Sequence, residues 1–291
     1  MPVGYSHLTR AALDRQLSPS RSAKDFAGVL RRHQRETAAL DGAPGLLVSR
    51  DVAYGPRARE RVDLVRPAGR APGACLVHFH GGFWQEGDKN GSAYAARALT
   101  SRGWAVAAVG YTLAPDLRLR DIVGEAAAAV AHLAREARSL GLDAARLVLS
   151  GHSAGAHLAA AVACGVGGAE AARAVRGLVL VSGVYDLAPI AASYVNDRVG
   201  LDAGEIEALS VLARVPVREM PVHVLVGADE PEAFLCQSDV LVEAWRPRVP
   251  GLTSRRAPGR DHFDVLDELA DPASPTFAAM MAMGVSGGGQ A

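Results

Sequence analysis

Gly151-His152-Ser153-Ala154-Gly155 sets a serine between two glycines with the spacing G-x-S-x-G. Where a strand turns sharply into a helix, that spacing lifts a serine hydroxyl clear of the backbone, and small flanking residues let the turn close. The flanks fit, since RLVLS reads as a short buried strand and AHLAAAVA as a helix. In a chain with 31 glycines the pentapeptide alone is a weak signal, so its strand-turn-helix setting carries the expectation that Ser153 is a nucleophile. A second glycine-rich turn, His80-Gly81-Gly82-Phe83-Trp84, follows the strand-like CLVHF. Such a turn aims backbone N–H groups at an oxygen that becomes negative during reaction, and the expected donors are Gly82, Phe83 and Ala154. Acyl transfer through serine is the chemistry these residues would do.

A nucleophilic serine needs a base and a group that orients the base. In the chain order Ser, acid, His, two histidines follow the turn at a distance. His223 lies in PVHVLVG, which reads as a buried strand, whereas His262 lies in GRDHFDVLDEL, a loop opening a helix after the strand-like TSRRAP. His262 is the expected base. The strand before it runs into GADEPEAF, which offers Asp229 first, with Glu230 and Glu232 close behind. Asp229, at the strand end, is the expected acid, and Glu232 and Asp186 are its rivals. His152 and His157 are expected to pack or hydrogen-bond. His78 and His80 share a strand face, but no third ligand of matching spacing follows, so no metal site is expected.

These residues need a frame. Residues 23–40 carry apolar positions at helical spacing, and LLVSRDVAYG with ERVDLVRPAG alternates like a hairpin. From residue 74 the pattern changes to short, continuous apolar runs, ACLVHFH, WAVAAVGY, RLVLSG, VRGLVLVSG and PVHVLVGA. Helical stretches separate them: 91–103, 119–141 and the run after Ser153. That rhythm predicts an α/β fold with a doubly wound, mostly parallel sheet. Residues 187–216 break the rhythm and predict a small cap, a pair of short helices over the carboxyl ends of the strands. No repeat or linker divides the chain, so residues 1–283 are expected to form one domain with that cap inserted, and 284–291 (GVSGGGQA) a disordered tail.

Across 291 residues, 31 basic and 31 acidic side chains cancel and are mixed along the chain. Neither nucleic acid nor an anionic membrane is an expected partner. Cys75, Cys164 and Cys236 are odd in number and lack C-x-x-C spacing. The opening MPVGYSHLTRAALDRQ lacks a basic region followed by an apolar stretch, and no run approaches bilayer-spanning length. A cytoplasmic protein with reduced thiols is expected.

HGGFWQEGDKNGSAY, GHSAGAHLAA, VSGVYDLAPI, EPEAFLCQS and DHFDVLDEL together make the chain resemble the kynurenine formamidases of the α/β-hydrolase type. The resemblance spans most of the chain and implies hydrolysis of N-formylkynurenine, without metal or organic cofactor, by Ser153, Asp229 and His262. An esterase or thioesterase-like hydrolase acting on another aromatic or natural-product acyl group is the alternative. A small aromatic substrate is the expected partner, with a second copy of the chain as the only macromolecular one. His80, Gly81, Trp84, Tyr185, Tyr194, Asn196 and Phe263 are the expected substrate contacts. Phe83 departs from the family's usual tyrosine, and SYVND at 193–197 from its more polar SQND.

Overall fold

Side chains alternating across the apolar strands build two cores, one on each face of a single sheet. The computed structural model describes residues 8–70 and 73–284. Its strands are β1 (Leu46–Ala53), β2 (Arg61–Pro67), β3 (Cys75–Phe79), β4 (Ala105–Val109), β5 (Leu147–His152), β6 (Val175–Val181), β7 (Val222–Gly227) and β8 (Leu252–Ala257). They lie in the order β1-β2-β4-β3-β5-β6-β7-β8. β1 and β2 form the expected hairpin, β2 also pairs antiparallel with β4, and the remaining pairings are parallel. Cys75, Val77 and Phe79 of β3 point into one core, and Leu76 into the other. The doubly wound, mostly parallel sheet read from the sequence is the one observed.

The helices are α1 (Arg10–Gln16), α2 (Phe26–Ala38), α3 (Ala96–Ser101), α4 (Leu119–Arg135), α5 (Ala154–Ala163), α6 (Ala169–Ala174), α7 (Ala188–Ala191), α8 (Asn196–Val199), α9 (Ala203–Leu209), α10 (Glu232–Trp245) and α11 (Pro275–Met283). Residues of α4, α5 and α10 share the core with Cys75, and residues of α3 and α11 the core with Leu76. α2 starts where Asp25 accepts the Gly28 amide at 2.9 Å, an N-cap that satisfies one of the first-turn donors.

Three expectations change. The helix expected over 91–103 shortens to α3, and ahead of it Asp88 accepts the Asn90 amide at 2.9 Å at the start of a separate 3-10 turn over Lys89–Gly91. The helix expected over 119–141 stops at Arg135, and Gly141 sits in the left-handed region at φ +66°. Residues 187–216, expected to hold a pair of short helices, hold three, α7, α8 and α9. Gly200 at φ +67° ends α8, and Asp202 caps α9 by accepting the Glu205 amide at 2.8 Å. Apart from Gly284, the tail expected to be disordered lies outside the described residues.

Candidate active site

β5 passes into α5 through one residue, Ser153, at φ +54° and ψ −119°. This conformation is costly for a residue with a Cβ, on the order of 1–3 kcal/mol, and persists only where the surroundings enforce it. They do. A Cβ at Gly151 would strike the Gly155 carbonyl, and one at Gly155 would strike the Phe79 carbonyl, so both glycines of the motif are required by close backbone approach. The Ser153 amide donates to Val181 O at 2.8 Å, fixing the turn to β6. His152 donates from Nε2 to His262 O at 2.7 Å, and His157 from Nε2 to Leu209 O at 2.9 Å. Both therefore do the hydrogen-bonding work expected of them.

In the parallel register Phe79 lies beside Gly151, which brings the turn after β3 next to Ser153. Gly82, Phe83 and Trp84 all have positive φ, +112°, +47° and +59°. Gln85 and Glu86 donate their amides back to Gly82 O at 2.9 and 3.1 Å, closing the turn. Behind it Tyr111 donates its hydroxyl to His80 O at 2.7 Å and stacks on the His80 ring, centroid to centroid 4.2 Å. His80 donates from Nδ1 to Gly81 O at 2.7 Å, and burial pushes its pKa down to about 4, so the ring is neutral. Ala154 is the first residue of α5, where backbone N–H groups lie beyond the reach of helical acceptors and face outward.

Across from Ser153, the carboxylate that meets His262 is Glu230 and not the expected Asp229. Glu230, fully buried at its carboxylate, accepts from His262 Nδ1 at 2.6 Å. Its other oxygen accepts from Ser182 Oγ at 2.5 Å and from the Gly227 amide at 2.7 Å, so each oxygen of this buried charge is satisfied. Asp229 is turned to the surface, where it takes the Lys24 ammonium at 2.8 Å. The reason is the turn after β7: the Asp229 amide donates to Arg260 O at 3.0 Å, which anchors that residue to the neighbouring loop and leaves its successor facing inward. Glu232 opens α10 on the outside. Asp186 accepts the Ala188 amide at 3.0 Å at the start of α7. His223 lies in β7 and bonds Thr253 and Thr276, as its strand pattern implied.

Ser153 and His262 line one cavity of ≈ 450 Å³ together with His80, Gly81, Gly82, Phe83, Tyr194 and Phe263. Three expected contacts are elsewhere. Trp84 is fully buried under the turn and donates from Nε1 to Ala154 O at 3.1 Å. Tyr185 is fully buried in the core. Asn196 closes the end of α8, its side chain bonding both the amide and the carbonyl of Leu201. The sequence reading missed the contribution of α2 and the segment before it, which bring Pro19, Phe26, Leu30, His33 and Gln34 to the same cavity. The signal was present in α2 itself, where Phe26 and Leu30 are four residues apart and so share a face. Among the described residues no three His, Cys, Asp or Glu side chains are grouped to hold a metal ion, and no helix is long and apolar enough to cross a membrane.

The α/β-hydrolase fold family model matches residues 76–235. The kynurenine formamidase of Danio rerio is 31% identical over 281 residues, covering 92% of this chain and 94% of that protein. The kynurenine formamidase of Salmo salar is 30% identical, with 92% and 94% covered. A solved structure of a thioesterase candidate from Silicibacter sp. TM1040 superposes with a TM-score of 0.81 at 30% identity, covering 92% of this chain and 98% of that one. The chain belongs to the α/β-hydrolase fold family and is a kynurenine formamidase-like hydrolase within it.

Proposed function

We propose that the protein hydrolyses the formamide of an N-formyl aryl amine such as N-formylkynurenine, releasing the amine and formate through a formyl-serine intermediate. One observation carries this reading. The strained Ser153 and a histidine oriented by a buried carboxylate line the same cavity, and Phe26, Phe83, Tyr194 and Phe263 give that cavity aromatic walls. Because the Glu230 carboxylate is an acceptor, His262 carries its proton on Nδ1 and keeps Nε2 free as the base. Ser153 Oγ attacks the formyl carbon as its proton passes to His262 Nε2. The carbonyl π pair moves to oxygen, which the amides of the Gly82-Phe83 turn and Ala154 stabilise.

Collapse of the tetrahedral intermediate breaks the C–N bond, and His262 gives its proton to the departing aryl amine. Water then adds to the formyl-serine, with the same histidine as base, and formate leaves as Ser153 recovers its proton. Glu230 compensates the imidazolium at each step. An aryl amine suits this site as leaving group because the ring withdraws the nitrogen lone pair.

The test is kcat/KM on N-formylkynurenine, with Ser153→Ala alongside. A value above about 10⁴ M⁻¹s⁻¹ that falls at least about 10⁴-fold in the variant supports the reading. If the formamide is untouched while a thioester or nitrophenyl ester is cleaved through Ser153, the esterase or thioesterase-like alternative replaces it, in line with the likeness to the Silicibacter structure.

A further inference from the structure

The segment from Pro19 through α2 walls the cavity, although it stands far in sequence from every reacting group. Its attachments run into the two loops that carry Glu230 and His262. The Lys24 amide donates to Asp261 Oδ2 at 2.8 Å, and the Lys24 ammonium donates to Asp229 Oδ2 at 2.8 Å and Gly259 O at 2.7 Å. Asp261 Oδ1 accepts the amides of Phe263 and Asp264 at 2.9 and 3.1 Å. Further along α2, Arg32 and His33 bond Asp267, and the Phe26 ring stands 5.4 Å from that of Phe263. One buried carboxylate therefore joins the substrate wall to the turn in which His262 sits, immediately before that histidine. Burial works against the charge of Asp261, yet the amides of Lys24, Phe263 and Asp264 outweigh it and hold the group below the usual carboxylate range.

We propose that Asp261 is a positioning residue that couples the aromatic wall of the cavity to the base, one oxygen holding the 19–38 segment and the other holding the turn around His262. An aryl group packed on Phe26 and Leu30 steadies that segment, and through Asp261 it steadies the imidazole. Binding energy from a part of the substrate remote from the reacting carbonyl is thereby spent on aligning the reaction. Small substrates that do not reach the wall gain nothing from it. The inference rests on Ser153 and His262 as nucleophile and base, and not on which acyl group they transfer.

Asp261→Asn separates the two arms. Its oxygen still accepts from Phe263 and Asp264, but its NH₂ group confronts the Lys24 amide, donor against donor. Lys24→Met, a change at an exposed side chain, removes only the ammonium arm. Each variant and wild type is assayed on N-formylkynurenine and on a pair of esters, 2-naphthyl acetate and vinyl acetate. Asp261→Asn lowers kcat/KM about 10-fold on the naphthyl ester, through both KM and kcat, and about 2-fold on the vinyl ester. Lys24→Met shifts the ratio of the two in the same direction by about 2-fold. Equal losses on both esters, or an unchanged ratio in both variants, overturn the proposal. If the formamide is not cleaved at all, the ester ratio still decides the coupling, and only the formamidase reading falls.

Discussion

The Ser153 turn and the loops facing it meet across one cavity, but backbone shape builds the first and charge builds the second. Around Ser153 the fixed points are close approaches: Gly151 against Gly155, Gly155 against Phe79, and a turn at Gly82 to Trp84 with three successive positive φ angles. The histidines there are buried and neutral. Around His262 the fixed points are carboxylates. Glu230 holds the imidazole, Asp261 holds two segments together, and Asp267 takes Arg32 and His33. A shape-built half tolerates changes of ionic conditions and no added atoms. A charge-built half tolerates small changes of shape, and its function depends on which carboxylate faces inward.

The sharpest test of that division compares neighbours. Glu230→Gln keeps shape but removes the carboxylate that, in the proposed mechanism, fixes the His262 tautomer and compensates the imidazolium, so kcat is expected to fall about 10³- to 10⁴-fold. Asp229→Asn, one residue away, breaks only an exposed pair with Lys24, so kcat/KM changes by no more than about 3-fold. Steady-state kinetics on any substrate cleaved through Ser153 reads both. A collapse in Asp229→Asn with Glu230→Gln active would return the role to the residue the sequence suggested.

The same division explains what the sequence revealed. The serine turn was legible because steric necessity leaves glycine at fixed spacing, and five parallel strands were legible because burial on both faces leaves continuous apolar runs. The acid was not. Asp229 and Glu230 are both carboxylates at a strand end, and the choice depends on the Asp229 amide bonding Arg260 O, a contact 31 residues away in sequence that no local pattern encodes. α10 was missed because its exposed stripe is narrow, Glu232, Asp239 and Glu243, while Gln237 and Ser238 put polar residues on the buried side and blur the pattern. Likewise Trp84 stood in a motif and Tyr185 on an expected site loop, yet both rings are buried in the core, Trp84 with its indole N–H bonded to Ala154 O.

Acid acts next and chiefly on the serine half, although burial also lowers His223 in β7. Burial pushes His78 down to about 3, His80 and His157 down to about 4, and His152 well below its ordinary value. All four lie around the serine turn, in β3, its following turn, β5 and α5. In the unfolded chain each titrates near 6.5, so between about 6.5 and 4 the unfolded state binds protons that the fold does not. Their contribution to stability is present above that window and is lost as pH falls through it, at up to about 1.4 kcal/mol per pH unit for each histidine. Thermal melts from pH 7 to 4.5 are therefore expected to show a steep fall in Tm. A flat profile over that range would mean that these rings take up protons in the fold, and that the serine half is not built from neutral groups.

Salt is the smallest lever and acts on the other half. The Lys24–Asp229 pair is exposed at both side chains, so raising NaCl from 0.1 to 1 M, which shortens the screening length from about 10 to 3 Å, weakens it. The amide bonds to buried Asp261 are short-range and shielded from solvent, so most of the attachment of α2 survives. KM for an aromatic substrate is expected to rise only about 2-fold, while kcat/KM for vinyl acetate stays level. In Lys24→Met the aromatic KM starts at the raised value, and salt moves it little further. An equal response from both substrates in wild type would place the salt-sensitive charge at the reacting centre instead of at the exposed Lys24–Asp229 pair, and the contrast between the halves would fail there first.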